Sequence, residues 1–153
     1  TIDGKAGNDV ISGGTGNDLF IIDFSSIDTI DGGANTTKDT VKFNSGNTGT
    51  SISADTDFVM NSTLTNIEKL DITGLTLNTA NNDTEFNFTE AMIDAWTGSS
   101  TGNLTLSLKS SQVEKIKFTD SSSVVHDTSS TITDNASYTI GNNTLTIDII
   151  DVP

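Results

Sequence analysis

The chain has no cysteine and no arginine, and only one histidine, one tryptophan, one tyrosine and one proline in 153 residues. Each absence closes off a class of protein. Without cysteine there is neither a disulfide framework nor a thiolate metal site. Positive charge is limited to seven lysines against 21 acids, for a formal net charge of −14. Such a chain cannot neutralise a phosphate backbone as an ordinary nucleic-acid binder does, and anionic membrane surfaces repel it. No run of about 18 apolar residues occurs, so no segment reads as a membrane-spanning helix. A single His without Cys leaves no H-E-x-x-H zinc motif and no Cys–His pair, and no G-x-S-x-G elbow is present. The chain therefore reads as non-enzymatic, and His126, set in a Ser/Asp-rich stretch, reads as a solvated loop residue. Trp96 and Tyr138 are too few to build an aromatic platform for sugars.

What is present is acid of one kind: 17 Asp against four Glu. A charge of this size keeps a chain soluble but opposes compaction by self-repulsion. A divalent cation would relieve that repulsion, and the short Asp side chain suits tight calcium loops.

The acids are patterned. Gly4-Lys5-Ala6-Gly7-Asn8-Asp9-Val10-Ile11-Ser12 and Gly13-Gly14-Thr15-Gly16-Asn17-Asp18-Leu19-Phe20-Ile21 are two tandem nine-residue units of the form G-G-x-G-x-D-x-U-x, where U is large and apolar. Glycines allow tight turns at positive φ, the Asp supplies a hard anionic oxygen, and the apolar residue starts a short strand. A third unit, Asp23 to Asp31, keeps Asp28 and Ile30 but has no glycine. A fourth, Gly32 to Phe43, restores the double glycine and carries two extra residues before Asp39. Thr1-Ile2-Asp3 matches Thr29-Ile30-Asp31 and reads as the end of a further unit, so the expectation is a longer parent protein with more repeats upstream.

Residues 1–43 resemble the RTX repeats of proteins exported by bacterial type I secretion. The resemblance implies a short parallel β-roll in which stacked turns bind calcium, units i and i+2 lying on the same side. In the family pattern the earlier loop contributes the carbonyls of positions two and four with its Asp, and the later loop those of positions one and three with its Asp. Carried onto this chain, the first site is Lys5, Gly7, Asp9, Asp23, Ser25 and Asp28. The second is Gly14, Gly16, Asp18, Gly32, Ala34 and Asp39. The chain departs from the family pattern at Lys5, which replaces a glycine, in the glycine-free third unit, and at the insertion before Asp39.

Beyond residue 43 the pattern changes. Residues 44–63 read as a polar loop region, and Leu64–Leu77 as one or two strands around Gly74. Ile67–Thr73 resembles Val113–Thr119 and suggests equivalent strands in two layers or rungs. Thr89–Thr97 is the one expected helix, with Thr89 as cap, Gly98 as terminator, and Met92, Ile93 and Trp96 on the face that packs on the sheet. Asn103–Lys109 alternates as a half-buried strand, and Ser137–Ile140 with Thr144–Ile150 reads as a terminal hairpin. From Asp120 to Pro153 there is no Lys and no Arg, and the end is apolar. This tail, about 120–153, resembles the uncleaved C-terminal signals of type I export substrates.

The expectation is an all-β chain: a calcium β-roll over 1–43, then a β-rich region over 44–153, solenoid- or sandwich-like, with one short helix. The resemblance implies a calcium-binding, calcium-triggered folding module and type I secretion region of a larger extracellular surface protein. Abundant Thr, Ser and Asn resemble an adhesin or S-layer protein. Partners would be calcium, the secretion machinery and, in a surface layer, further copies. Nucleic acid and membrane insertion are not expected. Two alternatives stay open: the calcium module of a secreted protease, lipase or toxin, and a ligand-binding module in which 44–119 recognises glycan or protein.

Overall fold

The computed structural model describes residues 1–23, 27–34, 38–43, 62–75, 86–127 and 130–150. These are mostly β, with one short α-helix. The expected loop over 44–63 lies almost wholly outside the described residues.

The strands of the repeat block are three or four residues long: β1 (Ile2–Lys5), β2 (Val10–Ser12), β3 (Leu19–Ile22), β4 (Thr29–Asp31) and β5 (Thr40–Phe43). From β2 to β5 each starts just after a repeat Asp. Each turns its apolar U residue inward: Phe20, Ile30 and Val41 are fully buried. The chain continues through β6 (Thr63–Thr65), β7 (Lys69–Asp71), β8 (Phe86–Phe88), helix α1 (Glu90–Thr97), β9 (Asn103–Leu108), a 3₁₀ turn at Ser110–Lys115, β10 (Ile116–Thr119), β11 (Val125–His126), β12 (Ser137–Ile140) and β13 (Asn143–Ile149).

Successive strands go to different sheets. One sheet has the order β1-β3-β5-β7-β9-β13-β12, and a second has β2-β4-β6. All pairs in both are parallel except the β12–β13 hairpin. Ile2 stands opposite Phe20 and Val10 opposite Thr29, a shift of about two nonapeptides per layer. Nothing interrupts the large sheet at residue 43, because β5 pairs with β7 and β7 with β9. The third sheet, β11-β10-β8, lies apart, so the similar segments 67–73 and 113–119 contribute to different sheets through β7 and β10. One apolar cluster runs through the molecule from Phe20 to Ile147.

The helix forms where its caps and apolar face favour it. Thr89 accepts the Met92 N–H at 3.3 Å, and Gly98 ends the helix at φ +65°. Ile93 and Trp96 are buried, and Met92 packs beside them. Trp96 meets Phe88 edge-on, and its carbonyl accepts the Ile67 N–H at 2.8 Å, which ties the helix to the turn after β6.

His126 is not the solvated residue its neighbours in sequence suggest. It is 8% exposed, stacked on Phe118 and edge-on to Tyr138. Its Nε2 lies 2.9 Å from Asp120 Oδ2 and its Nδ1 2.8 Å from the Thr131 carbonyl. That contact, with the Val124 and Ser122 N–H groups, holds the Asp120 carboxyl below its usual range. The polar sequence around His126 hides the apolar surface that β10 and β12 bring to it.

Asp148 links three strands of the large sheet. Its Oδ2 accepts the Ser107 hydroxyl at 2.8 Å and stands 3.3 Å from Lys69 Nζ. The Ser107 bond, then Lys69, lowers its pKa from the ordinary 3.8. A depressed carboxyl contributes stability that is present above 3.8 and lost as pH falls through the folded value. Asp148→Asn should therefore show a shallower loss of stability than wild type on acidification from about pH 5 to pH 2, read from urea midpoints.

Candidate metal centre

The repeat Asp residues meet in the pairs expected from the two-unit shift. Asp9 donates its N–H to Asp28 Oδ1 at 3.0 Å, and Asp18 donates to Asp39 Oδ1 at 2.7 Å. In return, the carbonyls of Asp9 and Asp18 accept the N–H groups of Thr29 and Thr40, each at 2.8 Å. The peptide at position six is thus clamped from both sides by the next layer. Asn8 and Asn17, at position five, add a parallel ladder by accepting the N–H groups of Ile27 and Lys38.

Asp9, Asp18 and Asp39 each fold the second oxygen toward the glycine that opens their own unit, Gly4, Gly13 and Gly32. A Cβ on Gly13 would sit 2.7 Å from Asp18 Oδ2 and 2.7 Å from the Gly32 carbonyl. Position one is therefore glycine because carboxylate and carbonyl oxygens crowd that point.

The first pair is the more exacting. Asp28 is 1% exposed. Asp9 Oδ2 and Asp28 Oδ2 are both buried, and no hydrogen-bond donor reaches either among the described residues. Burial raises the Asp28 pKa; the Asp9 N–H opposes this, and the charges of Asp9 and Asp23 add to the rise. Two buried carboxylate oxygens without partners are costly unless a cation satisfies them.

The backbone suits the same chemistry. Lys5 at φ +64° and Gly7 at φ +125° take the conformation that turns a tight loop. Lys5 adopts it despite its side chain, which folds back so that both its N–H and its Nζ bond the Asp3 carboxylate. Gly14, Gly16 and Gly33 also have positive φ. The Gly14 carbonyl accepts the Ala34 N–H at 2.9 Å and the Ala34 carbonyl accepts the Gly16 N–H at 3.3 Å. Those two carbonyls of the second site thus each carry one hydrogen bond and retain one lone pair. Of the first-site residues, Ser25 lies outside the described residues. Among the described residues no three His, Cys, Asp or Glu side chains converge. A cation held here would take most of its oxygens from carbonyls, as a calcium ion seeking about six to eight of them can.

Two members of the acidic ladder escape sequence reading. Ser62 and Glu68 stand in the next layer beneath Asp28 and Asp39. Their only signal is the tripeptide form shared with the repeats: Ser62-Thr63-Leu64 and Glu68-Lys69-Leu70 beside Asp28-Thr29-Ile30 and Asp39-Thr40-Val41.

No family model matches the chain, and no curated protein or solved structure matches it.

Proposed function

We propose that this chain is a calcium-binding module that orders on meeting calcium and belongs to a larger extracellular surface protein of the adhesin or S-layer kind, exported by type I secretion. The observation that carries the reading is the pair of buried, unpartnered oxygens on Asp9 and Asp28 inside stacked turns. Strands that alternate between two parallel sheets follow the path of a short β-roll, which is the fold this reading assigns to the repeat block. Asp9, Asp28 and the carbonyls of Lys5, Gly7 and Asp23 would hold one ion. Asp18 and Asp39, with carbonyls of Gly14, Gly16, Gly32 and Ala34, would hold another. Calcium supplies charge neutralisation and hard coordination; the chain supplies the pre-shaped oxygens.

The function follows from where calcium is found. Extracellular modules bind it with dissociation constants of roughly 10⁻⁴–10⁻³ M. At ten times that level each site adds about 1.4 kcal/mol to folding. In a cytoplasm poor in free calcium that contribution is lost, which keeps the chain loose for threading through a channel. The tail beyond Asp120 would carry the export signal and, once outside, fold as the final hairpin. The same module would serve a secreted protease, lipase or toxin, and the parent protein's upstream domains separate these cases.

A ligand-binding role is the second reading. A groove of about 590 Å³ runs between the loop after α1 and the outer face of β9 and β13, lined by Lys38, Glu68 and hydroxyls including Thr97, Thr105 and Thr144. Binding of this chain to a glycan array would favour it.

The calcium reading is tested by thermal melts with EGTA and with millimolar calcium. Two filled sites should raise the midpoint by about 6–12 °C. Identical melts and identical circular dichroism would refute it.

A further inference from the structure

The clamp on the position-six peptide recurs four times, and its last two instances lie outside the nonapeptide pattern. Asp9 and Asp18 donate their N–H groups to the carboxylates of Asp28 and Asp39. Asp28 in turn donates to Ser62 Oγ at 3.0 Å, and Asp39 donates to Glu68 Oε2 at 2.8 Å. The return bonds recur as well: Thr63 N–H reaches the Asp28 carbonyl at 2.8 Å, and Lys69 N–H reaches the Asp39 carbonyl at 3.0 Å. The pairing of Thr29 with Thr63 and of Thr40 with Lys69 sets 62–68 in register as a further layer.

This layer differs from those before it in two ways. Ser62 replaces an acid by a hydroxyl, so the column through Asp9 and Asp28 ends without a third charge. The turn between the two strands shrinks to Asn66, Ile67 and Glu68, too short for a glycine-rich loop. Asn66 Nδ2 donates to Asp31 Oδ1 at 2.7 Å, and the Asn66 carbonyl covers Gly32. On its far side the layer joins the rest of the molecule, since Glu68 O accepts the Thr105 N–H and Ile67 N–H bonds the Trp96 carbonyl.

We propose that residues 62–68 are the closing layer of the cation ladder, with Ser62 and Glu68 as positioning residues. Each holds the backbone of the last repeat Asp in its column, so that the Asp28 carboxylate faces Asp9 and the Asp39 carboxylate faces Asp18. Through Glu68 and Ile67 the same layer passes the order of the cation turns to β9 and α1. This inference rests on the calcium reading above.

Calorimetric titration with calcium, alongside the emission of Trp96, tests it on the full chain. Wild type should bind calcium, and Trp96, 7% exposed in the folded chain, should shift to shorter wavelength with the same midpoint. Glu68→Ala removes the acceptor of the Asp39 N–H and should weaken one class of sites about tenfold, while Ser62→Ala should weaken the other about fivefold. Glu68→Gln keeps an oxygen that accepts the same N–H, and should retain wild-type affinity and ion count. If E68A does not fold, S62A and E68Q carry the decision. Absence of calcium binding in wild type overturns the underlying reading, and the inference with it. Binding in wild type with unchanged affinity in S62A and E68A overturns the inference alone. Loss of an ion in E68Q would make Glu68 a ligand and overturn its assignment as a positioning residue. A Trp96 signal that ignores calcium while calorimetry reports binding would overturn the link to α1.

Discussion

Gly33→Ala should destabilise the protein by about 2–5 kcal/mol. Two costs add. Gly33 sits at φ +91°, where an L side chain is strained by about 1–2 kcal/mol. The new Cβ would also run into the backbone of Gly14, its carbonyl oxygen above all. Backbone cannot yield as a flexible side chain can, so this overpacking costs about 1–3 kcal/mol more. Gly7→Ala is the internal control. Gly7 is at φ +125°, yet nothing lies within 4 Å of its added Cβ. It should show the strain alone, about 1–2 kcal/mol. Urea denaturation of the two variants separates the terms, and equal losses would mean that the layers are not packed as described.

The contrast between Gly33 and Gly7 shows how far the residues could be read in advance. The tandem glycines announce positive φ, and both positions have it. Spacing pairs Asp9 with Asp28 and Asp18 with Asp39, and both contacts occur. Helix α1 and the β12–β13 hairpin follow from local caps and alternation. What stayed hidden is non-local. The closing layer at 62–68 has no glycine signature, because its turn is three residues long and takes its shape from Asp31 and Trp96. His126 reads as solvated because the rings that bury it, Phe118 across the β10–β11 pairing and Tyr138 on β12, lie outside the Ser/Asp-rich stretch around it. The unpartnered oxygens depend on burial, which no spacing rule supplies.

Asp28→Asn should be more stable than wild type without calcium and lose most of that advantage when calcium is added. In EGTA the wild-type carboxylate is buried, one oxygen lacks a donor, and burial together with Asp9 and Asp23 disfavours its charge. The amide is neutral and keeps an oxygen for the Asp9 N–H, so the variant should be more stable than wild type by about 1–3 kcal/mol. In calcium at ten times the wild-type dissociation constant, wild type gains about 1.4 kcal/mol from this site and the variant at most about 0.4 kcal/mol there. Its calcium affinity at that site should fall at least about tenfold, because a neutral amide replaces an anionic ligand. Melts of both proteins in EGTA and in calcium measure how far the difference narrows. A variant that loses stability equally in both buffers would make Asp28 an ordinary structural residue.

The most direct test is an anomalous difference map from crystals grown in saturating calcium. The expected result is a peak between the first and third turns, about 2.3–2.6 Å from Asp9 Oδ2 and Asp28 Oδ2, with a second between the turns of Asp18 and Asp39. Ordered turns with no peak at either place would contradict the claim that this acidic ladder is built around a cation.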